Sequence, residues 1–267
     1  MTRRWIIGLL SLVLVVAGWA SRPAQATVPL QPVSQVVGLP PLPTMATDLE
    51  PRKALETGPT DFKPTEVPQL AQATPRQVVA LADPSNYGDR FATDANGQAV
   101  THEFIAVLHE TVGSAQSAIN LFRTHHPRDA DQVSYHALIG RDGTIYYIVP
   151  PEKRAFGAGN SVFNGPNGPE TVRTNPNFPP SVNNFAYHVS LETPGDGMNN
   201  RRSHSGYTPA QYTSLAWLLA QTTIPDNRIT THQAVDRSNS RMDPRSFSSQ
   251  QFFSLLRQYP TRSGLSG

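Results

Sequence analysis

Proline decides first where this chain can fold. Ten of its 25 prolines fall between Pro29 and Pro75. Each lacks a backbone N–H and fixes its own φ, so neither a long helix nor a central strand can run through that interval. Residues 27–76, rich in Pro, Val, Gln and Thr and without a sustained period, therefore read as a disordered or polyproline-like spacer. It is either a functional tether or an inert linker. Ahead of it, Arg3 and Arg4 precede an apolar run from Trp5 to Ala20, and Ala24-Gln25-Ala26 has the small-x-small form of a cleavage site. Residues 1–26 read as a secretory signal peptide rather than a retained anchor, because the run is short for a membrane span. The mature chain then starts near Thr27, secreted or periplasmic, with no membrane attachment after cleavage. Folding is left to residues 77–262.

Composition narrows the chemistry. The chain has no cysteine, which removes disulfides, thiolate nucleophiles and Cys-ligated zinc. A metal would have to be held by carboxylates and by some of the eight histidines. The formal net charge is +2, and losing Arg3, Arg4 and Arg22 with the signal would bring it to −1. Neither value makes an electrostatic case for nucleic acid or for an anionic membrane.

The pattern after Val78 is that of an α/β domain. Phe104–His109 is strand-like, and residues 114–124 place Ala118, Leu121 and Phe122 on one helical face. Residues 133–139 and 144–149 read as strands joined by Gly140-Arg141-Asp142-Gly143, whose Asp-Gly pair is a hairpin signal. Residues 157–184, rich in Gly, Asn and Pro, read as a long surface loop, and Ala186–Glu192 as a strand. Thr208-Pro209-Ala210-Gln211 carries a capping box that opens a helix. Residues 228–235 read as an extended run bearing His232, and Phe252, Leu255, Leu256 and Tyr259 as a last amphipathic helix. The expected fold is a single domain with a central mixed β-sheet flanked by α-helices.

Two stretches hold the candidate chemistry. His109 ends an apolar strand, and His232 is followed by Arg241 and Asp243 on what reads as one loop. His109, His232 and Asp243 would make a zinc site with one open position, the ligand count of a catalytic rather than a structural zinc. Such a metal suits hydrolysis of an amide or ester. Arg241, two residues before Asp243, is placed to stabilise a developing oxyanion. Tyr135 and His136 point to opposite faces if they lie on a strand, so only one can face a pocket. The reading gives that place to Tyr135, in contact with water or the tetrahedral intermediate, and leaves His136 in the core. His125-His126 read as a solvated helix end, since adjacent helical residues do not share a face. His102, His188 and His204 read as structural.

The strings FIAVLHET, VSYHALIGRDGTIYYIVP, KRAFGAGNS and THQAVDRSNSRMDP occur in that order. The set resembles the zinc-dependent N-acetylmuramoyl-L-alanine amidases and the peptidoglycan recognition proteins that share their superfamily. The resemblance covers about Phe104 to Pro260. It implies zinc ligands at His109, His232 and Asp243 and action on peptidoglycan or muropeptides, and with the export signal the expectation is a secreted or periplasmic, cell-wall-associated protein, taken as a monomer. The alternative is a recognition module that binds peptidoglycan without cutting it. Three departures stand out. Arg241 occupies a position that is often Lys in relatives, which keeps charge and changes geometry. Ser190 matches a position that is Glu in some members, which leaves Tyr135 as the tyrosine-type feature and Glu192 as a fallback acid or base. Phe156-Gly157-Ala158-Gly159 stands where relatives often read Trp-His-Ala-Gly, with Asn160 as a compensating neighbour.

Overall fold

The computed structural model describes residues 32, 37–43 and 74–265. The expected signal segment and most of the expected spacer lie outside the described residues. The strands are β1 (Gln77–Val79), β2 (Tyr87–Asp89), β3 (Ile105–Glu110), β4 (Ala137–Ile139), β5 (Ile145–Tyr147), β6 (Lys153–Ala155), β7 (Phe163–Gly165), β8 (Gly168–Glu170), β9 (Ala186–Leu191) and β10 (Ile229–Thr231). The helices are α1 (Ala115–Arg123), α2 (Pro209–Ala220), the single turn α3 (His232–Val235) and α4 (Ser249–Leu256).

A six-stranded mixed sheet runs in the order β1-β5-β4-β9-β3-β10. β3 pairs in parallel with both β9 and β10, β9 in parallel with β4, and only β4–β5 is antiparallel. β3 and β9 are buried along their whole length, as expected for strands covered on both faces. Alternation then sorts their side chains. Ala106 and Leu108 of β3, with Tyr187, Val189 and Leu191 of β9, pack toward α2 and α4 in the main core. Ile105 and Val107 face the other way, with Ala186, onto Ala158, Phe163, Val172, Val182 and Phe185. α1 covers the neighbouring part of that second face through Ala118, Ile119 and Phe122. His109 and Ser190, directly opposite in register, follow the parity of the second face.

Several expectations shift in detail. The β4–β5 hairpin forms around Gly143 at φ 85°, a left-handed value that suits glycine. The capping box at Thr208 and Gln211 opens α2 as expected. The outer face of α1, however, carries Leu121 at 47% exposure, while Ile119 is buried in its place. Residues 157–184 are more than a surface loop: they contain the β7–β8 hairpin, and Ala158, Phe163, Val172 and Val182 are core residues. The run 228–235 is a three-residue strand followed by a helical turn, so His232 opens a helix rather than riding on a strand. Within the expected spacer, Leu39 and Leu42 pack against the main core, and Gly38 O accepts the Thr223 amide at 3.0 Å. Among the described residues no helix is long and apolar enough to cross a membrane.

Candidate metal centre

Parallel pairing of β3 with β10 brings two histidines to the carboxyl ends of adjacent strands, the usual place for a ligand site in such sheets. His109 is the fifth residue of β3, and His232 follows β10 directly. Thr231 caps the turn that His232 opens, its side chain accepting the Ala234 amide. The chain then loops and returns, and Gln233 donates its backbone amide to Asp243 O at 3.0 Å. Asp236 organises that loop by accepting the backbone amides of Ser238, Ser240 and Arg241. Burial opposes its charge, yet the Ser238 hydroxyl and these amides together hold its carboxyl down at about 2.

The ligand-capable atoms of His109, His232 and Asp243 all lie within 4.8 Å of one another. Asp243 Oδ2 is 3.0 Å from His232 Nδ1 and 3.3 Å from His109 Nδ1. The His109 side chain is fully buried and that of Asp243 is 13% exposed. Burial lowers the His109 imidazole to about 4, against the pull of Asp243. Burial alone would raise the Asp243 carboxyl, but the two imidazoles beside it hold it well below the usual range. A neutral His109 and an ionised Asp243 are the protonation states a divalent metal requires. The arrangement also calls for a cation. His109 Nδ1 is buried, makes no hydrogen bond among the described residues, and faces a carboxylate oxygen. His109 Nε2 is engaged elsewhere, 2.9 Å from His188 Nδ1. With the proton on Nε2, a lone pair on Nδ1 meets a carboxylate, and a metal between them relieves that opposition. The donor set of two imidazoles and one carboxylate suits zinc.

A groove of about 640 Å³ opens over these residues. Its lining includes His232, Asp243, Tyr135, Arg241, Arg154 and Gly157. Tyr135 stacks on the His109 ring at 4.4 Å between centroids. Burial, with the Asp243 charge behind it, pushes its phenol well up, so the hydroxyl stays protonated and can donate. Arg241 is exposed at the groove, its backbone fixed by Asp236. The expected division between Tyr135 and His136 matches their placement, although both precede β4 instead of lying on it. His136 is fully buried, its Nε2 3.1 Å from Lys153 O.

Other expectations need correction. Glu192 is not available as an acid or base in the groove: its two oxygens accept the backbone amides of Ala115 and Arg141, both at 2.9 Å. Ser190 is fully buried, with an unpartnered hydroxyl among the described residues. His204 takes a structural place, 2.9 Å from Glu110 Oε2 in a buried cluster that Arg245 and Tyr207 complete. His125 and His126 sit beyond α1 against Asp83 and Asn86. Sequence reasoning missed two groups outright: His188, which touches His109, and Arg154, which lies over the Phe91 and Phe156 rings beside the groove. No local signal marks His188, because the contact spans 79 residues and depends on strand register.

The family model described as N-acetylmuramoyl-L-alanine amidase matches residues 100–246. Among solved structures, a selenomethionine derivative of AmpD is 25% identical, over 69% of this chain and 95% of that one, with a TM-score of 0.47. AmpD from Citrobacter freundii is also 25% identical, over 69% of this chain and 91% of that one, with a TM-score of 0.41. The N-acetylmuramoyl-L-alanine amidase LysC from Clostridium intestinale URNW is 22% identical, over 61% and 87% of the two chains, with a TM-score of 0.38. A search of curated proteins found no match.

Proposed function

Since the chain belongs to the N-acetylmuramoyl-L-alanine amidase family, we propose that it is itself a zinc-dependent hydrolase of peptidoglycan. The bond cut is the amide between N-acetylmuramic acid and L-alanine, and the site of action is outside the cytoplasm. The observation that carries the reading is the clustering of His109, His232 and Asp243 ligand atoms within 4.8 Å, with His232 and Asp243 lining the groove.

His109, His232 and Asp243 would hold the zinc. When bound, the metal supplies Lewis acidity, polarising the amide carbonyl and acidifying water. The chain's own residues do the rest. Arg241 presents a fixed positive charge at the groove, where the carbonyl oxygen becomes negative as water adds. Tyr135, kept protonated, donates a hydrogen bond to the same developing charge or orients the water. The carbon–nitrogen bond then breaks: the water oxygen stays on the acyl carbon as a carboxylate, and the protons of that water leave with the L-alanine amine. The groove walls align the glycan and peptide portions so that the scissile amide lies over the ligand cluster.

The test is incubation of the purified protein with peptidoglycan, with and without a chelator, followed by mass spectrometry. The expected outcome is release of stem peptides with a free L-alanine amine, stopped by the chelator and restored by zinc. Asp243→Ala is expected to lose both zinc and activity. Wall binding without peptide release, in protein shown to hold zinc, would replace this reading with that of a recognition module. Full activity in Asp243→Ala would overturn the ligand assignment.

A further inference from the structure

We infer that His188 is a positioning residue for the metal site: it fixes the tautomer and ring orientation of His109, and it can do so only because residue 157 is glycine. The inference rests on the zinc reading for its consequence but on geometry for its substance. His188 lies on β9, where Val107 is its register partner, two residues along β3 from His109. Its side chain therefore leans against the same face of the sheet. His188 Nδ1 is 2.9 Å from His109 Nε2, and both rings are fully buried.

A metal held at His109 Nδ1 would set the proton count in this pair. For Nδ1 to take a metal beside Asp243, the His109 proton must sit on Nε2, 2.9 Å from His188 Nδ1, which then accepts it while His188 keeps its own proton on Nε2. The Nδ1 lone pair is then free for a metal. A ligating imidazole whose other nitrogen is held by an acceptor has a defined tautomer, a fixed ring plane and greater basicity. In this chain the acceptor is another imidazole rather than the more usual carboxylate or carbonyl.

His188 is itself held on two sides. Its backbone amide donates to His136 Nδ1 at 2.9 Å, and the two rings stack with centroids 5.8 Å apart and planes 8° from parallel. Gly157 lies close against the His188 ring. A Cβ placed there would lie 2.6 Å from His188 Nδ1 and 2.7 Å from its Cγ, closer than real Cβ contacts come. Any side chain at 157 would push the ring away from His109. The glycine where relatives often carry histidine thus has a physical reason. The His188 ring fills the space that a side chain at 157 would need, so the two positions form one unit.

The experiment compares the wild-type protein with His188→Leu, His188→Asn and Gly157→Ala, and uses Gly195→Ala, whose added Cβ meets nothing within 4 Å, as a folding control. Two quantities are read on each folded variant. One is zinc affinity by competition with a chromophoric chelator. The other is the protonated ring nitrogen of His109 in the metal-free protein, by 15N NMR of labelled histidine. His188→Leu and Gly157→Ala are expected to weaken zinc by about 10- to 100-fold and to mix the His109 tautomers. His188→Asn, whose Oδ1 falls close to the place of Nδ1, is expected to restore both. A folded His188→Leu with wild-type zinc affinity and an unchanged His109 tautomer would overturn the inference. So would a wild-type His109 that carries its proton on Nδ1. Wild-type protein that binds no zinc would instead remove the metal reading, while the tautomer measurement would still decide the role of His188.

Discussion

Arg241 and Asp243 are two residues apart, yet their environments give them different tasks. Asp243 is mostly enclosed between two imidazoles, whereas Arg241 reaches the groove from an exposed position. An exposed guanidinium has no part in holding the metal, so its removal should separate chemistry from binding. Arg241→Ala is expected to lower kcat by about 10- to 100-fold while leaving zinc affinity unchanged. Arg241→Lys should recover most of the loss, because charge is retained and only the planar fork is given up. Steady-state kinetics beside a zinc titration would check both, and a parallel loss of zinc in Arg241→Ala would count against the assignment. Tyr135 stacks on His109 through its ring and lines the groove. Tyr135→Phe keeps the stacking and removes the donor, so kcat should fall with little change in stability.

At the level of elements, the loop between α3 and Asp243 behaves as an organised unit. One carboxylate, Asp236, collects the amides of Ser238, Ser240 and Arg241, and Gln233 ties the far end back to the start of the turn. The loop is also stitched to the groove wall: Val162 N donates to Val235 O at 2.8 Å, and Arg237 N to Asn160 O at 2.9 Å. Asn160 thus supports the site through its backbone. Asp236→Ala leaves three amides without their acceptor. It is expected to weaken zinc by about 10-fold or more, measured by chelator competition, although Asp236 touches no ligand. Wild-type affinity in that variant would mean the loop is held by its other contacts. The same logic explains Glu192: placed where it satisfies the Ala115 amide at the start of α1, it serves a helix terminus and not a reaction.

Across the whole molecule, burial of neutral histidines ties folding to pH. His109, His136 and His188 are all held below the ordinary histidine value of 6.5, chiefly by burial, and His109 sits at about 4. As pH falls from 6.5 toward 4, the unfolded chain takes up protons that these rings in the fold refuse. The unfolded state binds more protons across that window, so stability rises with pH there and is lost on acidification. Metal-free protein kept in chelator should therefore show a lower denaturation midpoint at about pH 5 than at about pH 7.5, a loss on the order of a few kcal/mol. A flat profile would mean that the three rings are solvated. Below 3.8, protonation of the unfolded Asp243 adds to the loss in the same direction.

Local chemistry made part of this molecule readable from the chain alone. The ligand candidates His109, His232 and Asp243 announce themselves because each belongs to a short string whose residues act together. The capping box at Thr208 and the turn at Gly143 were legible for the same reason: both are interactions within a few residues. Where the sequence misled, the deciding force was not local. Ile119 and Leu121 sit on adjacent parts of one helix, and only the position of the sheet determines that the first is buried. The hairpin within residues 157–184 and the three-residue edge strand β1, which pairs with β5, carry too few apolar residues to show a period. The His188–Gly157 pair lay furthest from view. A hydrogen bond between residues 79 apart exists only once β3 and β9 have settled in register, and the glycine that admits it comes from a third segment. Sequence determines which groups can ligate, cap or turn, because those properties reside in single side chains and their neighbours. The tertiary structure decides which of them meet, because that depends on register and packing between distant segments.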